Sequence, residues 1–226
     1  MATRADVAVV VPAGGIGARL GHRTPKQFLA LGREAILTAA LRHFRRHPRV
    51  SAIVVAAPAA HVERTRRVLG RAGAPLTVVV GGVTRQDSVW SALQAVPASA
   101  AVIVVHDAVR PFVTRALIDA LVAAAERDGA AICGLPIADT VKRVRDGLVQ
   151  GTLDREGLWS VQTPQAFRAA ILKEAHDKAR RDAFVGTDEA MLVERLGHPV
   201  RMVPGFADNV KITTADDLRR ARRRGR

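Results

Sequence analysis

The chain has no tyrosine, one cysteine, only 4% aromatic residues and very few lysines. Each scarcity excludes something. Without tyrosine the usual acid/base residue of a short-chain dehydrogenase is missing. A lone Cys133 can build neither a disulfide framework nor a cysteine-based zinc site within the chain, so the cytoplasm is the expected compartment. No apolar run approaches the roughly 20 residues of a membrane span. The short N-terminal valine run follows Asp6 and is broken by Pro12, so no signal or transit peptide is read and no membrane partner is expected. With 48% hydrophobic residues and so few rings, the core must come from Ala, Val, Leu and Ile, as in strands covered by helices on both faces. A chain of 226 residues suits one α/β domain over 1–226, burying about 70–75% of its unfolded surface.

What is abundant is positive charge, a formal +14, with Arg219, Arg220, Arg222, Arg223, Arg224 and Arg226 crowded at the C-terminus. That crowd admits two readings: a nucleic-acid surface, or the solvated end of a helix beginning near Thr214, where cations favour the C-terminal pole. No nucleic-acid motif accompanies it, so no nucleic-acid partner is expected. Lysine is more telling than the total. Of 35 Lys and Arg only Lys26, Lys142, Lys173, Lys178 and Lys211 are lysine, as though arginine were used wherever either would serve. A lysine that remains can have a chemical reason, since its compact charge approaches a phosphate without the planar fork of arginine. Lys173 and Lys178 fall in a surface helix and need no such reason.

Apolar segments alternate with helical patterns, which predicts βαβ units and a mostly parallel sheet. Strands are expected at 7–11, 53–57, 76–80, 102–105 and 130–135. Helices are expected at 35–46, 60–69, 84–96, 115–127, 169–181 and 188–196, with Thr114 and Thr187 as N-caps. Between 138 and 155 the helical rhythm stops. There Val141, Val144, Leu148 and Val149 flank Asp146-Gly147, a strong hairpin signal, so an extended β arm is expected. Too few apolar residues accompany it for a core of its own; it either lies against a second subunit in a two-fold dimer or folds back on its own domain.

Ligands of open parallel sheets bind beyond the carboxyl ends of the strands, and three polar loops fall there. The first strand feeds V-P-A-G-G-I-G-A-R-L-G-H-R-T-P-K-Q at 11–27, in which Gly14, Gly15 and Gly17 can close the backbone around phosphates while Arg19 and Lys26 bring charge. It is not a Walker A loop, and Leu20 stands where a dinucleotide fingerprint needs its third glycine. The other two loops are G-G-V-T-R-Q-D-S at 81–88 and H-D-A-V-R-P at 106–111.

These motifs, with D-T-V-K-R at 139–143, L-D-R-E-G-L-W at 153–159, Q-T-P-Q-A-F at 162–167, T-D-E-A at 187–190 and D-N-V-K-I-T at 208–213, resemble in order and spacing the 2-C-methyl-D-erythritol 4-phosphate cytidylyltransferase family over nearly the whole chain. Gly14 and Val109 stand where that family usually has alanine. The resemblance implies a Rossmann-like, three-layer nucleotidyltransferase fold with a protruding β-hairpin arm at 138–155. It also implies transfer of a cytidylyl group from CTP to 2-C-methyl-D-erythritol 4-phosphate, with pyrophosphate leaving. A related sugar-phosphate nucleotidyltransferase is the alternative. The chain ends near Arg226, so a monofunctional enzyme is expected rather than one fused to a cyclodiphosphate synthase.

By the same resemblance, Arg19, Lys26 and Lys211 are the catalytic cations, with Mg²⁺ held mainly by the CTP phosphates and no protein metal site. Pro12, Ala13, Gly14, Gly15, Gly17, Gly82, Asp87, Ser88 and Asp107 would bind CTP. Asp107, Arg110, Thr140, Arg155, Thr187 and Lys211 would bind the acceptor, Thr140 and Arg155 reaching from the arm into the neighbouring subunit of a homodimer. Competing structural readings exist for Asp107 as the ion-pair partner of Arg110, for Thr187 as a helix cap and for Thr163 as a turn before Pro164.

Overall fold

The computed structural model describes residues 5–15, 24–70 and 73–224. A seven-stranded sheet forms the middle layer. Its strands are β1 (Val7–Pro12), β4 (Val50–Ala57), β5 (Leu76–Val80), β6 (Val102–Val105), β7 (Ala130–Pro136), β10 (Trp159–Arg168) and β11 (Arg201–Pro204), in the order β11-β7-β10-β6-β1-β4-β5. Two small hairpins complete the strand set: β2 (Ala30–Leu31) with β3 (Glu34–Ala35), and β8 (Val141–Arg145) with β9 (Leu148–Leu153). The helices are α1 (Ile36–Arg45), α2 (Val62–Leu69), α3 (Arg85–Leu93), α4 (Arg115–Asp128), α5 (Ala169–Arg181), α6 (Glu189–Arg195) and α7 (Ala215–Arg224).

The valine run of β1 explains the layering. Val7, Val9 and Val11 face α1 and α4, while Ala8 and Val10 face α3, α5 and α6. All five are 0% exposed, and each fully buried valine contributes roughly 1.5–3 kcal/mol. A strand covered on both faces has no polar side to alternate with, hence the unbroken apolar run. α7 packs Leu218 and Ala221 against Ile36, Val109 and Ile212 in a third, smaller cluster.

The strands expected from the sequence are present, two of them with the anticipated ends, at 76–80 and 102–105. β10 is an addition to them. It runs antiparallel between β6 and β7, and its sequence W-S-V-Q-T-P-Q-A-F-R lacks the β-branched run that marks its neighbours. A proline in a central strand argues against a strand, but Pro164 sits where the register with β7 shifts between Gln162 and Gln165, outside the regular ladder. One cap also differs. Asp188, not Thr187, caps α6: its carboxylate accepts from the Met191 N–H at 3.0 Å. A carboxylate beside the positive pole of the helix satisfies that donor better than a hydroxyl one residue further out.

The arm is a separate two-stranded ribbon, formed where the sequence places it. Asp146 (φ 50°) and Gly147 (φ 77°) both occupy the left-handed region, as the two central residues of a type I′ turn require. Val144, Leu148 and Val149 are 56%, 69% and 62% exposed, so the ribbon does not fold its apolar residues back onto its own domain.

Candidate active site

Because β1, β5 and β6 are mutually parallel, the loops after them open on one edge of the sheet. They enclose a cavity of about 280 Å³ lined by Pro12, Ala13, Gly14, Gly15, Gly82, Ser88 and Asp107, with Lys26 and Lys211 closing it from two other segments. The glycine loop is held from below: Gln27, itself buried, donates to the Ala13 carbonyl at 2.8 Å. Lys26 lies against the loop, its Cε 3.6 Å from where a Cβ on Gly15 would stand. Gly82 is required by packing, since a Cβ there would lie 2.2 Å from the Asp87 Cβ.

Asp107 is the electrostatic centre. Its Oδ2 is 2.9 Å from Lys211 Nζ and 3.4 Å from Arg110 Nε, and its Oδ1 is 3.5 Å from Arg85 Nε. Burial alone would raise the carboxyl, but Lys211, Arg85 and Arg110 outweigh it and hold it well below the usual carboxylate range. Asp107 is therefore an anion whose charge is already committed, and the surplus around it is positive.

The segments carrying these charges are tied together by buried polar contacts. Thr163 Oγ1 accepts from the Asp107 N–H at 3.0 Å and donates to His106 Nδ1 at 3.2 Å, leaving Nε2–H of His106 to donate to the Arg110 carbonyl at 3.1 Å. Burial pushes His106 down to about 4, which keeps the ring neutral and the chain of bonds in that sense. Asn209, fully buried, donates to the Gln162 side chain and the Thr163 carbonyl and receives Arg110 on its own carbonyl, while the Ile212 N–H bonds to Val109. Lys211 is thus carried on a stretch pinned on both sides to the strands that position Asp107.

Several sequence-predicted residues lie elsewhere. Asp87 does not line the cavity; it closes a capping box on α3, its carboxylate accepting from the Thr84 N–H at 3.2 Å and the Thr84 hydroxyl at 2.8 Å. Ser88, one residue on, does line it, with its hydroxyl donating to the Thr84 carbonyl. Thr140 and Thr187 are exposed, and neither they nor Arg155 line the cavity. Arg155 closes the base of the arm by donating to the Ala138 carbonyl. Arg19 and Gly17 lie outside the described residues. Conversely, sequence reasoning gave no role to Arg85, which lines the cavity and grips the buried Glu189 with Nη1 at 2.9 Å from both carboxylate oxygens. Arg85 sits within the 81–88 motif, but its partner is 104 residues away and no local signal joins them.

Among the described residues no three His, Cys, Asp or Glu side chains converge as a metal cage, and Asp107 is the one carboxylate at the cavity. No helix among them is long and apolar enough to cross a membrane. A Rossmann-like sheet with a glycine loop and a cluster of cations at its carboxyl edge defines an α/β nucleotidyltransferase. The family model of IspD, 2-C-methyl-D-erythritol 4-phosphate cytidylyltransferase, matches residues 7–223, and the chain belongs to that family. It is 45% identical over 216 residues to the 2-C-methyl-D-erythritol 4-phosphate cytidylyltransferase of Symbiobacterium thermophilum, covering 95% of this chain and 91% of that one. The crystal structure of the Thermus thermophilus enzyme of that name superposes with a TM-score of 0.80 at 36% identity, covering 97% and 98% of the two chains. The 4-diphosphocytidyl-2C-methyl-D-erythritol synthase of Anaerococcus prevotii gives 0.84 at 26% identity, over 96% and 97%.

Proposed function

We propose that this chain transfers CMP from CTP to 2-C-methyl-D-erythritol 4-phosphate, giving 4-diphosphocytidyl-2-C-methyl-D-erythritol and pyrophosphate. The observation that carries the reading is the convergence of Lys211, Arg85 and Arg110 on Asp107 beside the glycine loop, in a chain of this family. In the reaction an oxygen of the acceptor phosphate attacks the α-phosphorus of CTP, the new P–O bond forms, and the α–β anhydride bond breaks with its electron pair leaving on pyrophosphate. Two anions meet, so the protein's work is positioning and charge stabilisation rather than covalent chemistry.

Lys26 and Lys211 supply point charges to the triphosphate and the incoming phosphate, and Arg19 joins them by its place in the motif. Pro12 to Gly15, Gly82 and Ser88 offer backbone donors and acceptors to the cytosine edge. Asp107 orients Lys211, and Arg110 holds Asp107 in turn. Mg²⁺ fits this donor set as an ion carried on the nucleotide, since it keeps several waters and takes one or two carboxylates with substrate phosphates. Asp107 would be its protein ligand, and the ion would supply neutralisation of the phosphate oxygens.

Thr140, Arg155 and Thr187 complete the acceptor site when a second copy brings its arm across, and the exposed Val144, Leu148 and Val149 are the surface such a homodimer would cover. The buried, reduced Cys133 suits the cytoplasm. Mixing protein, Mg²⁺, CTP and methylerythritol phosphate and following phosphorus signals tests the reading. Pyrophosphate and a phosphodiester pair are expected; the same products only from a different sugar phosphate would overturn it.

A further inference from the structure

The segment carrying Thr187, residues 184–189, is fastened to the first turn of α3 by two adjacent side chains. The Gln86 side chain donates to the Phe184 carbonyl at 2.9 Å and accepts from the Gly186 N–H at 2.9 Å. Arg85, its neighbour, places Nη1 at 2.9 Å from both oxygens of Glu189, which is 1% exposed, while its Nε faces Asp107 at 3.5 Å. A third tie, from Gln165 Nε2 to the Asp188 carboxylate at 2.7 Å, anchors the same segment to β10. A helix of seven residues would not hold this position by itself; ties to three points of the sheet edge make it rigid.

The charge pattern gives the arrangement a direction. Arg85 is shared between two carboxylates, one at the nucleotide cavity and one under the 184–189 segment. An arginine so shared cannot be replaced by lysine, whose single ammonium is a point charge rather than a planar set of separate donors. Removing the charge of Glu189 would leave the guanidinium with Asp107 as its only close anion and draw that carboxylate away from Lys211.

We propose that Arg85 and Gln86 form a positioning clamp that sets the acceptor-binding segment 184–189 in register with the nucleotide loop, with Glu189 as its buried anchor. The clamp rests on the reading that this segment meets the acceptor. It determines how the acceptor is held and leaves CTP to the cavity.

Steady-state kinetics of Glu189→Gln, Gln86→Met and Thr187→Val test it, with both Michaelis constants measured. Glu189→Gln is expected to raise the acceptor KM about tenfold and Gln86→Met several-fold, well inside the roughly hundredfold cost of an ångström of misplacement. The CTP KM should stay within about twofold. Arg85→Lys should not rescue the acceptor KM, because it keeps the charge and loses the bridge. A merely structural role would lower kcat through the folded fraction and leave both KM values in place, and that outcome, or equal rises in both, overturns the clamp. If Glu189→Gln folds poorly, Gln86→Met, which removes no buried charge, decides alone. Thr187→Val separates the clamp from its premise: a raised acceptor KM in Glu189→Gln and Gln86→Met with none in Thr187→Val supports the clamp and overturns only the Thr187 contact. A rise in Thr187→Val alone overturns the clamp.

Discussion

Asp107 and Leu148 stand in regions built on opposite terms. Around Asp107 every strong charge meets another within the same chain, and the neutral His106 and the amide of Asn209 complete a buried polar set. Along the arm, Leu148 and Val149 face solvent, and the ribbon pairs only with itself. A buried carboxylate is costly unless cations surround it, so the cavity has to be finished within one chain before any ligand arrives. A two-stranded ribbon is marginal alone, so the arm is finished only by what it lies against. One region is preorganised for the nucleotide; the other is an unfinished half of an acceptor site.

That contrast can be broken most directly at its charged end. Lys26→Ala or Lys211→Ala is expected to lower kcat by roughly 10²–10³, the scale of a lost transition-state donor, in a pyrophosphate-release assay. Near-normal turnover would remove either lysine from the catalytic set. Acid should also act on the body and not on the arm, which has no histidine between 138 and 155. Burial holds His106 and His176 each at about 4, against 6.5 in the unfolded chain. Their contribution is therefore complete above about pH 6.5 and is lost as pH falls from there toward 4, where the unfolded chain binds more protons; the scale is on the order of 3 kcal/mol per histidine. Urea midpoints at pH 7 and pH 5 should differ accordingly, and His176→Phe should flatten part of the slope. Equal midpoints would contradict the buried neutral rings.

On the arm the effects are smaller and selective. Arg155→Ala should raise the acceptor KM about tenfold and leave that of CTP nearly unchanged, since a guanidinium binding phosphate contributes on the order of 1.5–3 kcal/mol. Equal changes would deny the arm a part in the acceptor site. Leu148→Asp should shift sedimentation toward a monomer, and an unaltered species at working concentration would leave the exposed apolar face without the proposed cover. The smallest effect belongs to the tail. Deleting 222–226 removes the exposed contact of Arg222 with the Ala30 carbonyl and should change kcat/KM by less than about twofold, because surface contacts of this kind contribute little. A large loss would give the arginines a role that a solvated helix end does not have.

Much of this was legible residue by residue. Valine runs mark strands buried on both faces, Asp146-Gly147 marks a turn that needs two positive φ angles, and the sparse lysines mark Lys26 and Lys211, both of which close the cavity. β10 was not legible, because its buried Gln162, Thr163 and Gln165 look like loop residues until Asn209, His106 and Asp188 are placed beside them. Asp87 shows the opposite error of attention: its place in a motif suggested a ligand contact, while its nearest partners are the groups of its own helix cap.

Local chemistry along the chain, then, determined which segments are strands, where the arm turns and which loops carry phosphate-binding character, since those depend on neighbours within a few residues. Only the tertiary structure decided that Lys211 would meet Asp107, that Arg85 would find Glu189, and that Thr163 would support both His106 and the Asp107 backbone. Those pairings span from 56 to 104 residues, and a buried charge or hydroxyl accepts whichever partner the packed sheet brings within about 3 Å.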